Sequence, residues 1–276
     1  MGLGPWEEID VQDVWTGSPA LSPPIGAPLP GRLAKPRREG LTVVMDKGLG
    51  LAATRDVLEV AAAHVDLWKL AFGTAALYPA RLLQEKIALV RSYGVDPYPG
   101  GTFIEAAYLQ GRVPAVFAYV RRMGFAAVEI SDGTIRLARH ERRALIRAAR
   151  EAGLRVLAEV GKKDPDRQPP PEALAEQGLL DLEDGAEYII VEARESGKGV
   201  GIYDKAGEVK EDSLAVLAGA LPVDRVIWEA PQKPQQQALI LRFGANVSLG
   251  NVPPGEALAL ESLRQGWRGD TLALVT

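Results

Sequence analysis

Glutamate recurs at four points of the chain in one setting, an apolar run that reaches a carboxylate and then opens into polar residues. The runs read Val128-Glu129-Ile130-Ser131-Asp132-Gly133, Ala158-Glu159-Val160-Gly161-Lys162, Val191-Glu192-Ala193-Arg194-Glu195 and Trp228-Glu229-Ala230-Pro231-Gln232. Successive glutamates lie 30, 33 and 37 residues apart, close to the roughly 30 or more residues of one strand-helix-strand repeat. A buried cluster of such acids repels itself and loses hydration, so it needs a divalent cation or interleaved lysines. Lys69 sits inside the apolar run Leu67-Trp68-Lys69-Leu70, and Lys162 and Lys163 follow Glu159 across a glycine. The chemistry on offer is electrostatic: a metal and ammonium groups gathered around an anion. The competing reading is a Glu/Lys network that only fills the interior.

Two further stretches carry charge. The loop Arg194-Glu195-Ser196-Gly197-Lys198-Gly199-Val200-Gly201 combines cations, a hydroxyl and glycines, which suits a phosphate oxyanion, although a flexible surface loop explains it equally well and the P-loop spacing is absent. Asp46-Lys47 offers a metal ligand and a cation, or a solvated pair. His64 and His140 fall in predicted helices and read as structural. Arg268-Gly269-Asp270 matches an adhesion tripeptide by chance.

The 276 residues, 47% hydrophobic and 25% charged, suit one large α/β core. A net charge of -4 gives no general attraction to nucleic acid or anionic membrane, so an anion site must be a local cluster of Lys and Arg. The chain has no cysteine and two histidines. That excludes disulfides, thiolate chemistry and His- or Cys-rich zinc sites, and points any metal toward oxygen ligands. No signal peptide or membrane span is read, and a cytoplasmic location is expected.

The elements that must position these groups begin at Gly40. Residues 1–39, with seven prolines, read as an extended Pro/Gly-rich arm, and residues 40–276 as one catalytic domain. Strands are predicted at 41–45, 67–70, 95–98, 127–130, 155–160, 188–191, 226–228 and 247–249. Helices are predicted at 82–92, 113–123, 139–152, 212–220 and 234–243, and Gly94, Gly124, Gly153, Gly185 and Gly244 stand where helices stop. Eight strands separated by helices predict a (β/α)8 barrel of the TIM type, whose C-terminal strand ends form one mouth. An open doubly wound sheet is the runner-up, but the first strand lacks the dinucleotide fingerprint.

Read together, seven segments resemble the phosphosulfolactate synthase family. They are Gly40 to Gly48, Tyr98-Pro99-Gly100-Gly101-Thr102, Val128 to Gly133, Glu159 to Lys163, Arg194 to Gly199, Glu229 to Lys233 and Arg268 to Thr271. They follow the family's order over about residues 39–272, leaving the N-terminal arm outside. Leu70 to Gly73 and Ala193 depart from the pattern without removing a charged group. The resemblance implies a Mg2+-dependent barrel lyase, homo-oligomeric and compatible with a trimer, adding sulfite to phosphoenolpyruvate on the way to coenzyme M or sulfolactate. It implies Lys163 as general acid, with a pKa expected to be lowered by surrounding cations. Metal ligands are expected among Glu129, Glu159, Glu192 and Asp46, and anion contacts from Lys47, Lys69, Lys162, Arg194, Ser196, Gly197 and Lys198. The alternatives are a non-catalytic, heat-stress-associated barrel and a lyase for another phospho-enol or sugar phosphate.

Overall fold

The computed structural model describes residues 25–274. Eight strands follow one another through the chain: β1 Thr42–Asp46, β2 Leu67–Leu70, β3 Asp96–Pro99, β4 Ala127–Ile130, β5 Arg155–Val160, β6 Tyr188–Val191, β7 Val226–Glu229 and β8 Ser248–Val252. All pairings are parallel, in the order β3-β2-β1-β8-β7-β6-β5-β4. Because β1 pairs with both β2 and β8, the sheet curls into a (β/α)8 barrel and the doubly wound alternative falls. The predicted helices are present within one or two residues at each end, and further helices occupy Leu51–Ala61, Gly101–Leu109, Pro171–Asp184 and Ala257–Arg264. The five predicted glycine stops all adopt positive φ.

Strand alternation divides the core into two shells. Val44, Trp68, Ile130, Val156, Val191, Trp228 and Leu249 point outward and pack beneath the helices. Val43, Leu67, Tyr98, Leu157, Ile190 and Ile227 point inward and fill the barrel, forming a second apolar cluster. The barrel is thus a packed core up to the level of the mouth.

One seam interrupts the barrel: β3 and β4 share no ladder. The sequence Asp96-Pro97-Tyr98-Pro99 explains it. Asp96 N–H donates to Asp66 O (3.1 Å) and Gly100 N–H to Leu70 O (2.9 Å), so every second residue faces β2 with its N–H. The positions whose N–H would face β4 are Pro97 and Pro99, which have none. The seam keeps one backbone bond near its base, from Ala126 N–H to Pro97 O (3.0 Å).

The predicted arm divides in two. Residues 1–24 lie outside the described residues, while residues 25–39 form neither helix nor strand and strap the floor of the barrel. Arg32 bonds Glu261 (2.9 Å) and Gly40 O (2.8 Å). Lys35 Nζ caps the carbonyls of Val65 (2.6 Å) and Gly94 (2.8 Å). Arg37 pairs with Asp66 (2.8 Å). Each long side chain satisfies groups at the N-terminal strand ends, which makes this part of the arm integral to the domain.

Asp46 departs from the expectation of a metal ligand. The first strand runs one residue later than predicted, and in the register Met45 pairs with Lys69 and Asp46 with Leu70. Met45 therefore faces inward and Asp46 outward. Its carboxylate accepts from Gly48 N–H (2.8 Å), Leu49 N–H (2.7 Å), Trp68 Nε1–H (2.9 Å) and the ammonium of Lys86. Lys86, on the helix Ala80–Ser92, also donates to Leu49 O (2.5 Å) and Thr54 Oγ1 (3.0 Å). This fully buried pair fastens the turn after β1 to the helical layer. Lys86→Ala strands the Asp46 charge, and urea titration is expected to show a loss of about 3–5 kcal/mol in unfolding free energy; a change under 1 kcal/mol would refute the tether.

Candidate active site

The inward phase that carries the apolar core ends, one step higher, in charge. Lys69 on β2, Glu129 on β4, Glu159 on β5, Glu229 on β7 and Glu192, one residue past β6, are all buried. Together they line a cavity of about 130 Å³ at the C-terminal mouth. The four in-phase glutamates of the sequence therefore converge, as the barrel geometry predicts.

Lys69 sits among the acids, its Nζ 2.8 Å from Glu129 Oε2, 3.2 Å from Glu229 Oε1 and 3.7 Å from Glu159 Oε2. Burial opposes its charge, but Glu129 and Glu229 outweigh burial and hold its pKa well above the usual lysine value. Glu129 is fixed from the other side by Gly101 N–H (2.6 Å), reaching across the seam. A β-carbon at Gly101 would come 2.9 Å from Glu129 Oε1, so only glycine allows that approach. Burial raises the Glu129 carboxyl to about 7 despite Lys69.

Glu159, Glu192 and Glu229 each offer an oxygen, and the three oxygens lie within 4.8 Å of one another. Glu159 Oε1 and Glu192 Oε2 are buried without a hydrogen-bond partner. Burial and then Glu159 push the Glu192 carboxyl up; burial also works against ionised Glu159, but Lys163 and Lys69 prevail and lower it to about 2. Unpaired acceptors converging at this spacing are a ligand set for a hard cation. The triad can hold a metal. Glu129 is tied to Lys69 and Gly101, and Glu229 to Lys69 and Ala193 N–H; it is Glu229 whose oxygen comes within that spacing of Glu159 and Glu192.

Lys163 reaches the ring from the loop after β5. Its Nζ stands 3.8 Å from both Glu159 Oε1 and Glu192 Oε2 and donates to Thr102 Oγ1 at 3.3 Å. The side-chain stem lies over Gly133, where a β-carbon would sit 3.1–3.3 Å from its carbons. The expected lowering of its pKa is overturned. Burial does lower it, but Glu159 and Glu192 more than compensate and raise it, because its neighbours are acids and not the cations the sequence reading assumed.

The other expected anion contacts are dispersed. Lys162, one residue before, turns away. Its ammonium donates to Asp132 Oδ2 (2.5 Å) and Asp132 O (2.6 Å), and it does not line the cavity. Arg194 does line it. Lys47 is exposed and pairs with Glu195 at 3.1 Å on the rim. Ser196, Gly197 and Lys198 lie outside the lining: Ser196 O and Gly197 O accept from Gln232 (2.5 Å) and Gln235 (2.7 Å). Phe72, Thr102 and Asn251 line the cavity without having been anticipated as site residues. Thr102 lies in the quoted Gly100-Gly101-Thr102 turn, whereas nothing local marks Phe72 or Asn251. Phe72, Arg194 and Asn251 are the non-glycine residues with positive φ among the described residues, and all three line the cavity. Backbone strain concentrates where function is expected.

Comparison with known proteins agrees with this geometry. The family model for (2R)-phospho-3-sulfolactate synthase matches residues 30–270, so the match begins within the strap and not after it. The phosphosulfolactate synthase of Methanothermobacter thermautotrophicus is 46% identical over 89% of this chain and 96% of its own. The phosphosulfolactate synthase of Bacillus subtilis is 37% identical over 89% of this chain and 97% of its own. A more distant relative, the Arabidopsis thaliana protein Heat-stress-associated 32, is 24% identical over 84% and 88%. Among solved structures, 3-hexulose-6-phosphate synthase from Salmonella typhimurium superposes with a TM-score of 0.55 at 15% identity, covering 81% of this chain and 97% of that one, a likeness of fold alone. No helix among the described residues is long and apolar enough to cross a membrane. With that match across nearly the whole barrel, and with the acid ring and its lysines in place, the chain belongs to the (2R)-phospho-3-sulfolactate synthase family.

Proposed function

We propose that this chain adds sulfite to phosphoenolpyruvate in a Mg2+-dependent reaction that yields (2R)-phospho-3-sulfolactate. The observation that carries the reading is Lys163, an ammonium kept protonated by Glu159 and Glu192 and set at the edge of a buried carboxylate triad. Glu159, Glu192 and Glu229 would hold the metal, and their convergent oxygens, with Glu159 Oε1 and Glu192 Oε2 lacking hydrogen-bond partners, fit it. When bound, Mg2+ supplies Lewis-acid stabilisation of charge developing on the substrate carboxylate.

The chain's own groups account for the rest. Arg194 on the cavity wall and Lys47 at the rim offer positive charge to the phosphate and the incoming sulfite. As the sulfite sulfur bonds to C3, the C2–C3 π pair moves toward C2 and the carboxylate. Lys163 Nζ gives its proton to C2, forming the C2–H bond, and is then neutral until reprotonated from solvent. Donation from one fixed side of the cavity sets the configuration at C2. Lys69 stays charged throughout and prevents the acid ring from expelling an anionic substrate.

Purified protein with Mg2+, phosphoenolpyruvate and sulfite is expected to consume both substrates, with activity lost on EDTA treatment and restored by Mg2+. Lys163→Ala is expected to lower kcat by about 10²–10⁴-fold with an unchanged circular dichroism spectrum. Absence of sulfite-dependent turnover in the wild type overturns the reading. The ring also gives a pH signature. Folding raises the Glu129 carboxyl from 4.5 to about 7, so between those values the folded state binds more protons than the unfolded one. The Glu129 contribution to stability is thus present below 4.5 and is lost as pH rises through about 7. Urea titrations across that window, with EDTA present, should show a decline for wild type that is smaller in Glu129→Gln.

A further inference from the structure

β8 breaks its own alternation at the mouth. Thr42 pairs with Leu249 and Val44 with Val252, so the register slips by one residue between them. Leu249 and Val252 both belong to the outer core. The slip is therefore a one-residue bulge at Gly250-Asn251, and it turns a residue inward that regular alternation would send out. Bulges beside active sites re-aim side chains in this way. Asn251 accordingly lines the cavity, 3% exposed and at φ 55.

Its amide then makes a specific connection. Asn251 Nδ2–H donates to Arg194 O at 3.3 Å, which fixes the amide's orientation and leaves Oδ1 buried without a partner. Arg194 is itself left-handed, at φ 60. Its N–H donates to Glu192 Oε1 at 2.6 Å and its Nη1–H to Lys163 O at 3.1 Å. One residue thus grips both the carboxylate of the triad and the loop of the ammonium above it, and Asn251 grips that residue.

We propose that Asn251 is a positioning residue. By clasping the left-handed backbone of Arg194, it aims Glu192 into the metal set and holds the Lys163 loop beside it. The inference rests on the reading of Glu159, Glu192 and Glu229 as metal ligands. A merely conformational role is distinguishable, since glycine adopts positive φ at least as readily as asparagine. If the bulge only needs a tolerant backbone, Asn251→Gly should be silent.

The test is titration of the metal-free protein with Mn2+ alone, without phosphoenolpyruvate or sulfite, in wild type, Asn251→Gly, Glu192→Gln and the double variant. Asn251→Gly is expected to weaken Mn2+ binding by about 10–100-fold, the usual effect of losing an outer-shell support. In the Glu192→Gln background, the same substitution should change affinity by less than about twofold, because the pathway through Glu192 is already broken. The coupling remains informative even where Asn251→Gly lowers stability. Wild-type affinity in Asn251→Gly, or equal losses in both backgrounds, overturns the proposal. No Mn2+ binding by the wild type removes the metal reading and this inference together. A wild type that binds Mn2+ but shows no sulfite-dependent turnover refutes the proposed reaction and leaves the clasp supported or refuted by the titration itself.

Discussion

Four glutamates share the inner face of the barrel at its mouth, and the rest of the site follows from keeping them ionised there. Removing carboxylates from water costs several kcal/mol each, and their mutual repulsion adds to that. The fold answers with Lys69, an ammonium within 3.7 Å of three of them, and with Lys163, which reaches Glu159 and Glu192, the acid that Lys69 leaves unpaired. Four carboxylates against two ammonium groups leave a formal charge of about two negative units, the charge one divalent cation neutralises. Without that cation, burial and the excess negative charge push up the carboxyls of Glu129, Glu192 and Glu229. The barrel interior below contributes the rigid support, its apolar side chains each stabilising the fold by about 1.5–3 kcal/mol when buried.

Precision at the mouth is imposed from outside the cavity by polar tethers in the outward phase of the strands. Asp46 and Lys86 fasten the turn after β1. Arg142, buried under β5, bonds Asp181 (2.8 Å), Asp132 (3.1 Å) and the backbone carbonyl of Glu159 (2.8 Å). Asp132 in turn holds Lys162. The ends of β4 and β5 are locked together, so Glu159 and Lys163 keep their separation. The seam between β3 and β4 serves the same end. Because Pro97 and Pro99 release β4 from the ladder, Gly101 N–H is free to bind the Glu129 side chain, and the gap in the barrel becomes part of the site.

The barrel and its acid ring were legible because both depend on period and spacing. The glutamates recur once per strand-helix unit, and each sits at the same phase of its strand. Asp46 shows how narrow that legibility is: it directly follows Met45, which faces the cavity, and one step along a strand exchanges the two faces. Local pattern did not separate Lys162 from Lys163, and only the family resemblance did, because Gly161, at φ 122, takes the chain out of strand geometry before either is reached. Asn251 was invisible for a different reason. Its inward turn comes from a bulge defined by the pairing of β8 with β1, about 200 residues earlier, and no local pattern encodes that. The seam was not foreseen, although Pro97 and Pro99 encode it locally, and its value lies in what it frees Gly101 to do.

The two lysines of the ring carry the same charge in different surroundings, and that difference supports different proposed roles for them. Both are driven toward the protonated form by neighbouring glutamates. Lys69 is held by three carboxylates at the bottom of the cavity with its side chain 9% exposed, so a proton given up there has no short route back from solvent. Lys163 hangs from a loop, stands 3.8 Å from its acids instead of bonding them, and is 24% exposed. It can present a proton to the cavity and recover it from water. Its contact with Thr102 links it to the β3 loop, while Arg194 holds its backbone from the β6 side. A group held at its base, loosely paired at its tip and open to solvent has the properties a recycling general acid requires, and Lys69, though held in β2, lacks the last two.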